Sequence, residues 1–271
     1  MEAQKKHRYF VELAYKGTNF HGWQIQPNAI SVQEVLNKAL STVLREEIET
    51  VGCGRTDTGV HATNFFSHFD TVTEIRSQQS GVSNGESEIR NPQSIITHDR
   101  LVKAINALVG YEIAIKRFIK VVPEAHARFD ATSRSYEYHV HFVKDPFKLE
   151  ISYLLGSQPD VELMNKAASV IMQHTDFSCF SKSNTQTFTN NCKITRAEWV
   201  QVEGGLVFHI TADRFLRNMV RAIVGTLLDV GKGNLSLNDV PKILESKNRS
   251  NAGESVPAAG LFLTTITYPY L

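Results

Sequence analysis
Segments with a two-residue apolar period and segments with a helical period alternate along this chain, in an order that occurs twice: strand, helix, strand, strand, helix, strand. In the first pass Tyr9, Val11, Leu13 and Tyr15 alternate through a strand. Ser31 and Glu34 form a capping-box signature ahead of a helix carrying Val32, Val35, Leu36, Ala39, Leu40, Val43 and Leu44. Strands at Glu47–Val51 and Asn64–Phe69, a helix over Asp99–Leu108 and a strand over Glu112–Val122 complete it. In the second pass Tyr136, Tyr138, Val140 and Phe142 alternate within Ser135–Val143, and a helix over Val161–Gln173 follows with Asp160 as N-cap. Lys193–Val202 and Leu206–Ala212 read as a hairpin turning at Glu203-Gly204-Gly205. Phe215–Val230 reads as a strong amphipathic helix with Gly231 at its C′ position, and Leu261–Tyr268 as a last strand. The order predicts an α+β protein of two ferredoxin-like βαββαβ modules, residues 1–123 and 124–271. Their mixed, largely antiparallel sheets are expected to join around a central catalytic cleft. The polar stretch Arg76–Asn91 reads as a mobile excursion.

At 271 residues the chain is long enough for two such cores. Lys and Arg total 29 against 28 Asp and Glu, so a polyanionic partner must be met by a local basic patch rather than by bulk charge. Cys53, Cys179 and Cys192 form no C-x-x-C pair, which argues against a disulfide framework or a zinc knuckle and fits a reducing compartment. No apolar stretch follows the charged start and no run approaches membrane-spanning length, so the expectation is a soluble, cytoplasmic protein.

The chemistry concentrates in Gly52-Cys53-Gly54-Arg55-Thr56-Asp57-Thr58-Gly59-Val60-His61-Ala62. Glycines and small hydroxyls let the backbone turn sharply and let another molecule approach, so Asp57 is a candidate nucleophile. An Asx turn is the plain alternative for an Asp two residues before a Gly. Asp57-Thr58-Gly59 also spells the aspartic-protease triplet, but that chemistry needs two carboxylates, no second triplet occurs, and Arg55 stands where apolar shielding is needed. Gly52-x-Gly54 lacks the spacing of a dinucleotide fingerprint, and Gly225 to Gly233 imitates a phosphate loop only as a helix end. Arg214 and Arg217 read as a solvated basic edge of the long helix. Arg221, nearer the apolar boundary, calls for a carboxylate, and Asp57 is a candidate. The plain reading of Tyr136 is a core aromatic, the usual role of a strand tyrosine, while the arginine-bearing stretch before it, Arg128 to Arg134, adds weight to a polyanion-facing role. His139 and His141 share a strand face and, lacking a third ligand, read as surface histidines.

Taken together these blocks resemble the tRNA pseudouridine synthase A family. The likeness runs in order through Tyr15-Lys16-Gly17-Thr18-Asn19-Phe20-His21-Gly22-Trp23-Gln24, Ser31 to Glu34, Gly54 to Ala62, Asn106-Ala107-Leu108, Ala127 to Tyr136, Asp176 to Phe180, Phe215 to Gly225 and Ala259 to Leu263. Cys53, Thr58 and Val109 depart from the usual residues, and Arg76–Asn91 is longer than usual. The resemblance implies a cofactor-free, metal-free isomerase that converts uridine to pseudouridine in the tRNA anticodon stem-loop, at tRNA positions 38, 39 and 40. It implies that Asp57 is the nucleophile or charge partner, adding to C6 of uracil or acting at C1′. Arg221 would pair with that carboxylate, and Tyr136 would stack on the uracil and help remove the C5 proton. Arg55 would hold the flipped nucleotide or its phosphate, Leu261 would floor the pocket, and the working form would be a homodimer with tRNA bridging the subunits.

Overall fold
The computed structural model describes residues 5–76, 95–182 and 188–271. Its elements in chain order are β1 His7–Tyr15, α1 Val32–Leu44, β2 Val51–Gly52, β3 His61–Thr71, β4 Glu74–Arg76, β5 Ile95–Thr97, α2 His98–Asn106, β6 Ile113–Val121, β7 Ser133–His141, β8 Tyr153–Leu154, α3 Val161–Met172, β9 Ile194–Val202, β10 Gly205–Ala212, α4 Met219–Gly231, α5 Asp239–Ser246 and β11 Leu261–Thr267. The result is a mixed α+β protein whose strand pairs are mostly antiparallel, with β4–β5 and β7–β8 as parallel pairs. Beyond Arg76, the polar stretch through Asn91 lies outside the described residues.

Contacts divide the chain into two units, Met1–Thr56 with Ala62–Ala131, and Asp57–His61 with Thr132–Leu271. The sequence places the boundary at 123/124 and the Asp57 loop in the first module. The structure instead groups Asp57–His61 with the second unit because Val60 is buried in that unit's apolar core.

In the first unit β1 lies between β6 and β3, antiparallel to both, and β2 extends the sheet beyond β3. Ser31 Oγ accepts from Glu34 N at 3.2 Å, so the cap read from sequence starts α1. Trp23 stacks on Phe65 with ring centroids 4.2 Å apart. A Cβ on Gly52 would collide with the Trp23 indole, so this glycine serves packing as well as the turn.

In the second unit the strands run β11-β7-β10-β9, with β8 on β7. Asp160 Oδ1 accepts from Leu163 N at 2.8 Å and caps α3 as expected. Met219, Ile223, Leu227 and Val230 of α4 are fully buried, as are Met164 and Ile171 of α3. At roughly 1.5–3 kcal/mol for each large side chain removed from water, this core dominates the unit's stability.

Helix α4 starts at Met219 rather than Phe215, because Asn218 takes a left-handed conformation (φ 65°, ψ 3°) that no helix can pass through. Its end also differs from expectation. Gly231 remains helical and the left-handed residue is Gly233, at φ 76°. A Cβ on Gly231 would lie 2.7 Å from Met164 Cγ and 2.9 Å from Pro159 Cβ, so close packing with α3 and its approach demands that glycine.

Candidate active site
Asp57 opens a turn closed by the bond from Val60 N to Asp57 O at 3.1 Å. Gly59 adopts φ 79° inside it, and a side chain there would be strained and only 3.3 Å from Ala258 Cβ. His61 is buried, stacks on Phe262 with centroids 4.6 Å apart, and its Nε2 lies 3.1 Å from Ala259 O. Together with Val60 in the apolar core, this docking fixes the turn while the Asp57 side chain stays 29% exposed. A carboxylate held by buried neighbours yet open to solvent is suited to react with an incoming molecule.

The cation beside it is Arg217. Its Nε lies 3.8 Å from Asp57 Oδ1, an ion pair beyond hydrogen-bonding distance. The sequence assigns Arg217 to a solvated edge and gives the pairing to Arg221. In the structure the Arg221 Nε donates to Val256 O at 2.7 Å, and among the described residues Arg217 is the ion-pair partner of Asp57. Two features hold the turn that presents Arg217. Lys182 N donates to Arg217 O at 3.1 Å, and Asn218 Nδ2 donates to Ser255 Oγ at 2.5 Å. The left-handed backbone at a non-glycine residue costs roughly 1–2 kcal/mol, least for Asn.

Tyr136 sits on β7 opposite Ile210 of β10 and Leu263 of β11. Its ring meets Phe215 edge-on, with centroids 5.1 Å apart at 87°. One short turn, Phe215 to Asn218, therefore touches Tyr136 through one side chain and Asp57 through another. Leu261, 5% exposed, pairs across β11–β7 with Tyr138. Burial pushes the Tyr138 phenol upward in pKa, its hydroxyl donates to Pro257 O at 2.8 Å, and the nearby Arg221 charge opposes the shift. Arg55 belongs to the first unit and is exposed, next to Thr56, whose Oγ1 lies 2.9 Å from the Tyr15 hydroxyl.

The histidine pair on β7 divides. His139 Nε2 lies 3.0 Å from Glu137 Oε2, while His141 is buried with Nδ1 2.9 Å from Ser152 Oγ, where the segment leading into β8 covers it. The surface expectation thus fails for His141. Among the described residues no group of three His, Cys, Asp or Glu side chains is placed to hold a metal. Cys179 and Cys192 are buried, and burial pushes both thiols up to about 12, which keeps them protonated and unreactive.

A family model described as tRNA pseudouridine synthase matches residues 173–269. Over 97% of its length the chain is 48% identical to the tRNA pseudouridine synthase A of Bacteroides fragilis, covering 96% of that protein. It is 47% identical to the protein of the same name from Parabacteroides distasonis, at 97% and 96% coverage. The protein so named from Exiguobacterium sibiricum is 32% identical, at 97% coverage of both chains. The chain belongs to the tRNA pseudouridine synthase A family.

Proposed function
We propose that this chain isomerises uridine to pseudouridine in the anticodon stem-loop of tRNA, at tRNA positions 38, 39 and 40, with Asp57 as the nucleophile. The reaction breaks the N1–C1′ bond, turns the uracil and joins C5 to C1′. All atoms are retained: the C5 proton leaves and N1 gains one. Asp57 supplies the electron pair, either to C6, leaving by elimination after C5 has joined C1′, or to C1′, where it is displaced as C5 attacks that carbon. Tyr136 stacks on the extruded uracil and assists loss of the C5 proton. Base–aromatic stacking of roughly 1–3 kcal/mol offsets part of the few kcal/mol spent unstacking the nucleotide. Arg221, which gives its Nε to Val256 O, serves the same carboxylate as a charge partner in addition to Arg217, Arg55 holds the flipped nucleotide or its phosphate, and Leu261 floors the pocket. The reading includes two ferredoxin-like modules, a homodimer as the working form, no cofactor, and action in the cytoplasm.

The observation that carries this reading is the partly exposed Asp57 carboxylate, ion-paired and fixed by buried neighbours, in a chain related end to end to proteins named for this reaction. The test is release of tritium from anticodon stem-loop RNA labelled at uracil C5. Stoichiometric release with pseudouridine recovered from the digested RNA is expected. RNA binding without any release would reduce the chain to a binding module.

A further inference from the structure
The ion pair between Arg217 and Asp57 is too long and too exposed to contribute appreciably to stability, with Arg217 58% exposed and the N···O distance 3.8 Å. The backbone that presents it is nevertheless elaborately held. Asn218 takes the left-handed conformation and donates to Ser255 Oγ at 2.5 Å. The same oxygen accepts from Arg249 Nη2 at 2.8 Å, while Arg249 Nη1 donates to Ala252 O at 3.3 Å and Gly253 O at 3.0 Å. Val256, next in this segment, takes the Arg221 Nε at 2.7 Å. The segment 252–256 therefore takes the Arg221 Nε and anchors Asn218, while Arg217 faces Asp57. A strained turn with such support, ending in a pair that adds little stability, points to function.

We propose that Arg217 is a positioning residue for Asp57, and that the Asn218–Ser255–Arg249 chain sets its reach. Held at Oδ1 by Arg217, the carboxylate leaves Oδ2 for the bond to substrate. With the backbone fixed, closing 3.8 Å to a hydrogen bond needs only side-chain rotation when RNA excludes water. The proposal rests on Asp57 being the reacting carboxylate.

The test compares single-turnover tritium release at saturating stem-loop RNA, RNA affinity and Tm for wild type, Arg217→Ala, Arg217→Lys, Asn218→Gly, Asn218→Ala and Asp57→Ala. Arg217→Ala is expected to slow turnover about 10- to 100-fold with a smaller change in affinity, and Arg217→Lys to recover part of the rate. Millimolar guanidinium should restore part of the Arg217→Ala rate, which a structural role would not allow. Asn218→Gly keeps the left-handed backbone but loses the Ser255 bond, so it should lose less than Asn218→Ala. Full turnover in Arg217→Ala, a loss confined to affinity, or a loss that follows Tm and ignores guanidinium would each overturn the proposal. Full Arg217→Ala activity beside an inactive Asp57→Ala would remove this inference alone, whereas an active Asp57→Ala would remove the nucleophile on which it rests.

Discussion

Replacing Gly225 by alanine should destabilise the protein although the position lies in the middle of a helix. Helix propensity by itself favours the change, since alanine is about 0.8–1.0 kcal/mol better than glycine in a helix interior. The packing points the other way. A Cβ at residue 225 would overlap the backbone carbonyl of Glu254, which cannot rotate away as a flexible side-chain end would. Relief requires the 253–256 segment to lift from α4. That motion strains the Arg221 Nε bond to Val256 O, the Val256 N bond to Arg221 O and the Gly253 N bond to Thr226 Oγ1. Overpacking a dense core costs about 1–3 kcal/mol, and each disrupted bond about 0.5–1.5 kcal/mol. With one bond lost and the propensity gain subtracted, the net cost is about 0.5–3.5 kcal/mol. Urea unfolding followed by circular dichroism should show a lower midpoint at unchanged slope. Gly54→Ala is the control, because its Cβ meets nothing within 4 Å, and it should stay within about 0.5 kcal/mol of wild type. A Gly225→Ala protein as stable as wild type would refute the argument that the segment's close crossing requires this glycine.

Tyr136→Phe should retain RNA affinity and slow tritium release, whereas Tyr136→Leu should also weaken binding by roughly 1–3 kcal/mol as the stacking face is lost; equal behaviour of the two would deny the ring a stacking role. Burial, reinforced by His126 and Arg8, holds the His68 imidazole at about 4 against an ordinary 6.5, and its Nδ1 accepts from Ala127 N at 3.1 Å. The unfolded chain therefore binds the proton first. Stability should be fully present above about 6.5 and fall, by up to about 1.4 kcal/mol per pH unit, as pH drops toward 4. His68→Asn keeps an acceptor and should flatten that slope; an unchanged profile would exclude His68 as a cause. Asp160→Ala should cost about 1 kcal/mol through loss of the α3 cap, read as a shift in Tm without loss of turnover.

What the sequence revealed was whatever neighbouring residues determine among themselves. Ser31 and Asp160 cap helices through residues three positions away, and the β9–β10 hairpin turns at Gly204, with φ 69°, where its glycine pair foretold. The start of α4 was not legible, because periodicity runs smoothly through Asn218 and carries no sign of its left-handed backbone. Helix α5 went unread because Pro241 interrupts the pattern, yet it lies in the first turn, where its missing N–H is harmless. At the site, Asp57 stood out by its glycines and Tyr136 by the basic stretch before it. The place of Arg217 beside Asp57 depends on a segment more than thirty residues downstream in sequence, Ala252 to Val256, which takes the Arg221 Nε and anchors the turn bearing Arg217. Spacing along one helix could not have revealed it.

The most direct test is a comparison of wild type with Asp57→Asn in single-turnover tritium release at RNA concentrations that saturate both proteins. The amide preserves size and polarity but removes the anionic electron pair. The variant should bind RNA within a few-fold of wild type and release no tritium above background. Release at the wild-type rate would show that the isomerisation proceeds without this carboxylate.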